Sequence, residues 1–104
     1  MRTIYDATTT AGSRNVFSDL GFTPAEARNL RMRSQLMTAL RKFIEKEALT
    51  QAAAAKRFQV TQPRISDLMR GKISRFSLDT LVNMLIGAGM DVELRIRTKP
   101  RRVA

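Results

Sequence analysis

The 104-residue chain has no cysteine, no histidine and no tryptophan, and a single tyrosine. Without cysteine there is no disulfide framework and no thiolate metal site. With histidine gone as well, the usual nucleophile–base pairs and zinc sites lose their commonest members. Acidic residues are also scarce, nine against nineteen lysines and arginines, and they are scattered, mostly beside a basic neighbour. No grouping suits catalysis, so an enzyme is the weakest class and no cofactor or metal is expected. Long apolar runs are missing too. The longest, "LVNMLIGAGM", is broken by Asn and Gly and falls short of the roughly 18 residues a membrane helix needs. The opening "MRTIYDATTTAGS" lacks the apolar core of a signal peptide, so the expectation is a cytoplasmic protein with no membrane partner.

What is present is an ordinary aliphatic composition, 43% hydrophobic and 27% charged. That suits one folded domain with one core. The net charge of +10 is large for such a chain. A strong positive field attracts polyanions, which puts nucleic acid first among partners and an anionic membrane surface second.

Residues 1–13 are polar, Thr-rich and without periodicity, and read as a flexible tail. "NVFSDLGF" follows, with Val16, Phe17, Leu20 and Phe22 spaced for a short packed turn. In "TPAE", Thr23 can cap a helix, Pro24 suits its first position and Glu26 stands three residues after the cap. The helix predicted from there to about Lys46 has one apolar face, Leu36, Leu40, Phe43 and Ile44, extended by Met37. Arg31, Arg33, Arg41 and Lys42 lie elsewhere on its surface, where a solvated charge pattern is the ordinary reading. "SLDTLVNMLIGAG" predicts another helix, capped by Ser77, with Phe76 stapled against Leu81 and Gly87 or Gly89 ending it. In "DVELRIR" the period changes to two. Val92, Leu94 and Ile96 alternate with charged residues, which predicts a half-buried strand over 91–97. A lone strand leaves backbone groups unpaired, and the same strand of a second copy is the nearest candidate to meet them. The folded domain therefore spans residues 14–97, and 98–104 form a basic tail.

Between the long helices stands "LTQAAAAKRFQVTQPRISDLMRG". Thr50 caps "QAAAAKRF", and Thr61 caps "QPRISDLMR", which Gly71 ends. Only a tight turn fits between Phe58 and Gln62, so the two short helices must cross steeply, as in a helix-turn-helix unit. Ala55 must be small where they cross, while Phe58, Ile65 and Leu68 fill the angle. The outer side of the second helix carries Gln62, Arg64, Ser66 and Asp67, with Arg70, Lys72 and Arg75 beyond. Gln and Arg make paired hydrogen bonds to adenine and guanine edges in the DNA major groove, which accommodates a helix. Gln51, at the head of the first short helix, lies beside backbone N–H groups suited to a phosphate. The alternative for all these residues is the solvated exterior of a helical hairpin.

At these residues the chain resembles the Cro/repressor class, the XRE family. The matching features are both Thr-Gln starts, the small Ala55, and Ile65 and Leu68 within the second helix. Gln59 departs from the class, which often has Gly in the turn; it requires a left-handed backbone or a modified turn. Over about Asn15 to Arg97 the chain is also similar to HigA-type antitoxins of bacterial toxin–antitoxin pairs. The resemblance implies a mainly α, five-helix-type, lambda-repressor-like domain with a C-terminal strand pairing across a homodimer. It implies contact with a palindromic operator in double-stranded DNA through Gln51, Thr61, Gln62, Pro63, Arg64 and Asp67, and repression of the chain's own operon. It further implies a RelE-like toxin as partner. The resemblance does not carry the toxin surface over residue by residue; the apolar residues of the segment through Phe22, with one face of the first long helix, are the expected surface, and simple packing of that segment onto the core is the alternative.

A stand-alone XRE or phage-type repressor without a toxin is the sibling reading. A reading from another class is an RNA-binding basic protein, which needs exposed aromatics for base stacking. The few aromatics here fall at apolar helix positions, which argues against it.

Overall fold

The computed structural model describes residues 20–98. The expected tail over 1–13, most of "NVFSDLGF" and the basic tail beyond Thr98 lie outside the described residues. Helix α1 is Pro24–Lys46, begun by a full capping box. Thr23 Oγ1 accepts from the Glu26 amide at 3.2 Å, and Glu26 Oε1 accepts from the Thr23 amide at 3.0 Å. Hydrogen bonding to the carboxyl, from the Thr23 backbone amide first and from the Thr23 side chain second, holds Glu26 below its ordinary pKa. The helix stops where Ala48 turns to φ +52, and the Leu49 amide reaches back to the Ile44 carbonyl at 3.0 Å.

Two short helices follow, α2 (Gln51–Phe58) and α3 (Gln62–Met69), capped by Thr50 and Thr61 as expected. Gly71, at φ +70, reverses the chain after α3, and Ser77 caps α4 (Leu78–Gly87). The five residues between them leave room for one 3₁₀ turn, Ile73–Arg75. The described residues thus hold four α-helices and that turn, a helical core of the kind expected; the five-helix-type count refers to the whole domain, part of which lies outside the described residues.

Helix α1 packs on α4 and on the 3₁₀ turn, while α2 packs on α3 and α4. Their shared core is aliphatic with two rings, Phe58 and Phe76, and includes Met37, Leu40, Ile65, Leu68 and Leu81. Among the described residues, no polar or charged residue is buried. Burial of that apolar surface, about 25 cal/mol for each Å², holds the two short helices in place. Helices of eight residues have little stability alone.

The expected strand over 91–97 is not formed: among the described residues no β-strand is present. The physical reason is that a strand exists through hydrogen bonds to a neighbour, and one chain offers this segment no partner. Its apolar residues remain exposed, Val92 at 38%, Leu94 at 83% and Ile96 at 84%.

Candidate nucleic-acid interface

The joint between α2 and α3 sets the geometry. Ala54 is fully buried and Ala55 nearly so, and any larger side chain there would push the helices apart. Gln59 makes the turn in the left-handed region, at φ 59 and ψ 44. The Val60 amide then bonds the Ala55 carbonyl at 2.9 Å, so the last turn of α2 is closed although its end is not glycine. Gln59 therefore takes the left-handed alternative. With Ile65 and Leu68 turned fully inward, the opposite side of α3 faces out.

The first turn of that outer side is open. Thr61, Gln62 and Pro63 are exposed, although the Thr61 hydroxyl is engaged in accepting from the Arg64 amide at 3.4 Å. Pro63 has no N–H, and in a first turn none is required. Gln51 is exposed at the head of α2, and Arg70 is exposed at the end of α3.

The remaining expected residues converge on the 3₁₀ turn. Arg64 is half-buried rather than free. Its Nη1 donates to the Arg75 carbonyl at 2.7 Å, and its guanidinium lies 5.4 Å from the centre of the Phe76 ring. Asp67 pairs with Lys72 at 3.9 Å and with Arg75 at 3.7 Å. Its carboxylate is thus occupied by cations of its own chain instead of standing ready for cytosine. Exposed or half-exposed ion pairs of this length add little stability; they orient the two cations.

These shapes have known counterparts. Residues 16–97 match a helix-turn-helix domain family. A solved chain assigned to the XRE family of transcriptional regulators is 38% identical in sequence, with a TM-score of 0.70. That match covers 76% of this chain and 89% of the other. The chain belongs to the XRE family of helix-turn-helix proteins. No curated protein matches it. The family is a non-enzymatic one, and among the described residues no helix is long and apolar enough to cross a membrane.

One residue of this XRE-family chain was not marked by its sequence. Arg33 reads as a surface charge of the first long helix, yet it is half-buried. Its Nη1 donates to the carbonyls of Ile73 at 3.3 Å and Phe76 at 3.1 Å, and its Nε donates to Asn29 Oδ1 at 2.8 Å. The only local signal is Asn29 one turn earlier, because the carbonyl partners lie 40 and 43 residues away. Arg57 stays exposed but is engaged too, donating to the Ala88 carbonyl at 3.4 Å and lying over Phe43.

Proposed function

We propose that the chain is a sequence-specific, DNA-binding transcriptional repressor that acts as a homodimer on a palindromic operator. The observation that carries this reading is the open first turn of α3, where Gln62 stands exposed while Ile65 and Leu68 anchor the helix from behind. A helix presented that way enters the major groove by its N-terminal end. Gln62 is the side chain for base edges, with Thr61 and Pro63 beside it. Gln51, Arg70, Lys72 and Arg75 serve phosphates. Arg64 and Asp67 reach DNA only by giving up their present partners.

The dimer is formed by pairing residues 91–97 of two copies as antiparallel strands. Support comes from the alternating, exposed Val92, Leu94 and Ile96, which would gain a covered face, and from backbone groups that would gain partners. Two reading helices then stand about 34 Å apart, one turn of DNA. In this reading the protein works in the cytoplasm.

Its place is the antitoxin half of a toxin–antitoxin pair, repressing its own operon and binding a RelE-like toxin. The support is the resemblance to HigA-type antitoxins together with exposed apolar residues at the start of the described chain: Leu20, Phe22 and Met32. Coexpression with the neighbouring reading frame tests that part. A toxin that copurifies supports it, and a neighbour that passes through the column leaves a stand-alone repressor. The DNA reading itself is tested by selecting duplexes from a random-sequence pool. Enrichment of one inverted repeat is expected. Equal affinity for every duplex, collapsing together as salt rises, would replace it with nonspecific polyanion binding.

A further inference from the structure

The Ile73–Arg75 turn is gripped from two sides by arginines that lie far apart in sequence. From α1, Arg33 donates to the carbonyls of Ile73 and Phe76. From α3, Arg64 donates to the carbonyl of Arg75 and covers the Phe76 ring. Three acceptors of one short segment are thereby covered by guanidinium groups. Phe76 is fully buried beneath them, so the turn is fixed on its inner side as well.

This has a consequence for the cations the turn carries. Carbonyl oxygens facing a phosphate would repel it; covered by arginine, they no longer do. Lys72 and Arg75 flank the same turn, and Asp67 brackets both, at 3.9 Å and 3.7 Å. Such long pairs orient the cations yet are readily exchanged for a phosphate. Side chains ordered beforehand lose less freedom on binding. Arg64 is the informative member. It sits at a reading position of α3, but its guanidinium already has a strong, charge-assisted bond to a backbone carbonyl.

We propose that Arg33 and Arg64 are positioning residues that hold the Ile73–Arg75 turn as a phosphate clamp, with Lys72 and Arg75 as its DNA-contacting cations. The proposal rests on the DNA-binding reading, and it assigns Arg64 to the backbone of the protein rather than to a base. Arg33 touches no DNA in this arrangement; it acts through the turn.

The test is the dependence of log Kd on log salt, measured with a selected duplex and with a mixed-sequence duplex. Phosphate binding sets that slope whatever the sequence, so the mixed duplex keeps the test valid even if no operator is ever selected. Arg33→Met is expected to weaken binding to both duplexes and to lower the slope by about one for each phosphate no longer held. Arg64→Met is expected to do the same, without changing which base is preferred at any position. With Lys72→Gln and Arg75→Gln already in place, Arg33→Met should lower the slope no further; a merely structural defect would still reduce the active fraction, which stoichiometric titration reads. A folded Arg33→Met protein with the wild-type slope overturns the proposal. So does an Arg64→Met protein that loses preference at one base pair while its slope stays fixed. Arg64 is half-buried but lies outside the buried core, so its variant decides the matter should Arg33→Met fail to fold.

Discussion

At the scale of single residues, Gln59 and Gln62 show how strain and exposure divide the work. Gln59 holds a left-handed backbone at φ 59, which costs an L-residue about 1–2 kcal/mol. Glycine would remove that cost and return part of it as flexibility of the unfolded chain. Gln59→Gly is expected to stabilise the fold by about 0.5–1 kcal/mol, read as a shift of the urea midpoint at constant slope. Gln62 is exposed and contributes nothing to the core, so Gln62→Ala should leave stability unchanged. If Gln62 meets a base, the variant loses roughly 1–3 kcal/mol of discrimination at one position of the operator, measured by titrating duplexes substituted base by base.

At the scale of elements, the crossing of α2 and α3 depends on small residues rather than on a special sequence for either helix. Ala54 is 0% exposed and Ala55 8%. Ala54→Leu is expected to cost about 1–3 kcal/mol by overpacking, and to lower DNA affinity at temperatures where the variant is still folded, because the reading helix is tilted. Thermal unfolding and binding measured on the same sample check both parts. Caps and crossings of this kind are readable from sequence because they are local. Thr23, Thr50, Thr61 and Ser77 each begin a helix where their spacing predicts one. Two elements were not readable. The short 3₁₀ turn after Gly71 carries no periodic signal over its three residues. The 91–97 segment has the period of a strand, but period describes side chains and says nothing of whether a backbone partner exists. Within the site, exposure of the first turn of α3 followed from the inward pull of Ile65 and Leu68. The bonding of Arg33, Arg64 and Asp67 did not, because each depends on where a distant turn comes to rest.

At the scale of the whole molecule, a net charge of +10 supplies attraction to any nucleic acid, and the fold has to supply the choice among sequences. One copy offers a single short helix for reading; in the proposed dimer, two copies joined at their C-terminal segments would double the reading surface and fix the spacing of its halves. Leu94 is 83% exposed in the single chain, so Leu94→Glu should not disturb the helical core. Sedimentation is expected to show a weakened dimer with near-normal helical content by circular dichroism, and operator affinity should fall with it. An unchanged sedimentation profile would mean the copies join elsewhere, or not at all.

The most direct measurement is interference by methylation at guanine N7, which lies in the major groove, set against methylation at adenine N3, which lies in the minor groove. On a selected duplex, binding should be blocked by N7 methylation in two patches about one helical turn apart, with little effect from N3 methylation between the patches. Binding that tolerates N7 methylation throughout would contradict the placement of the first turn of α3 in the major groove.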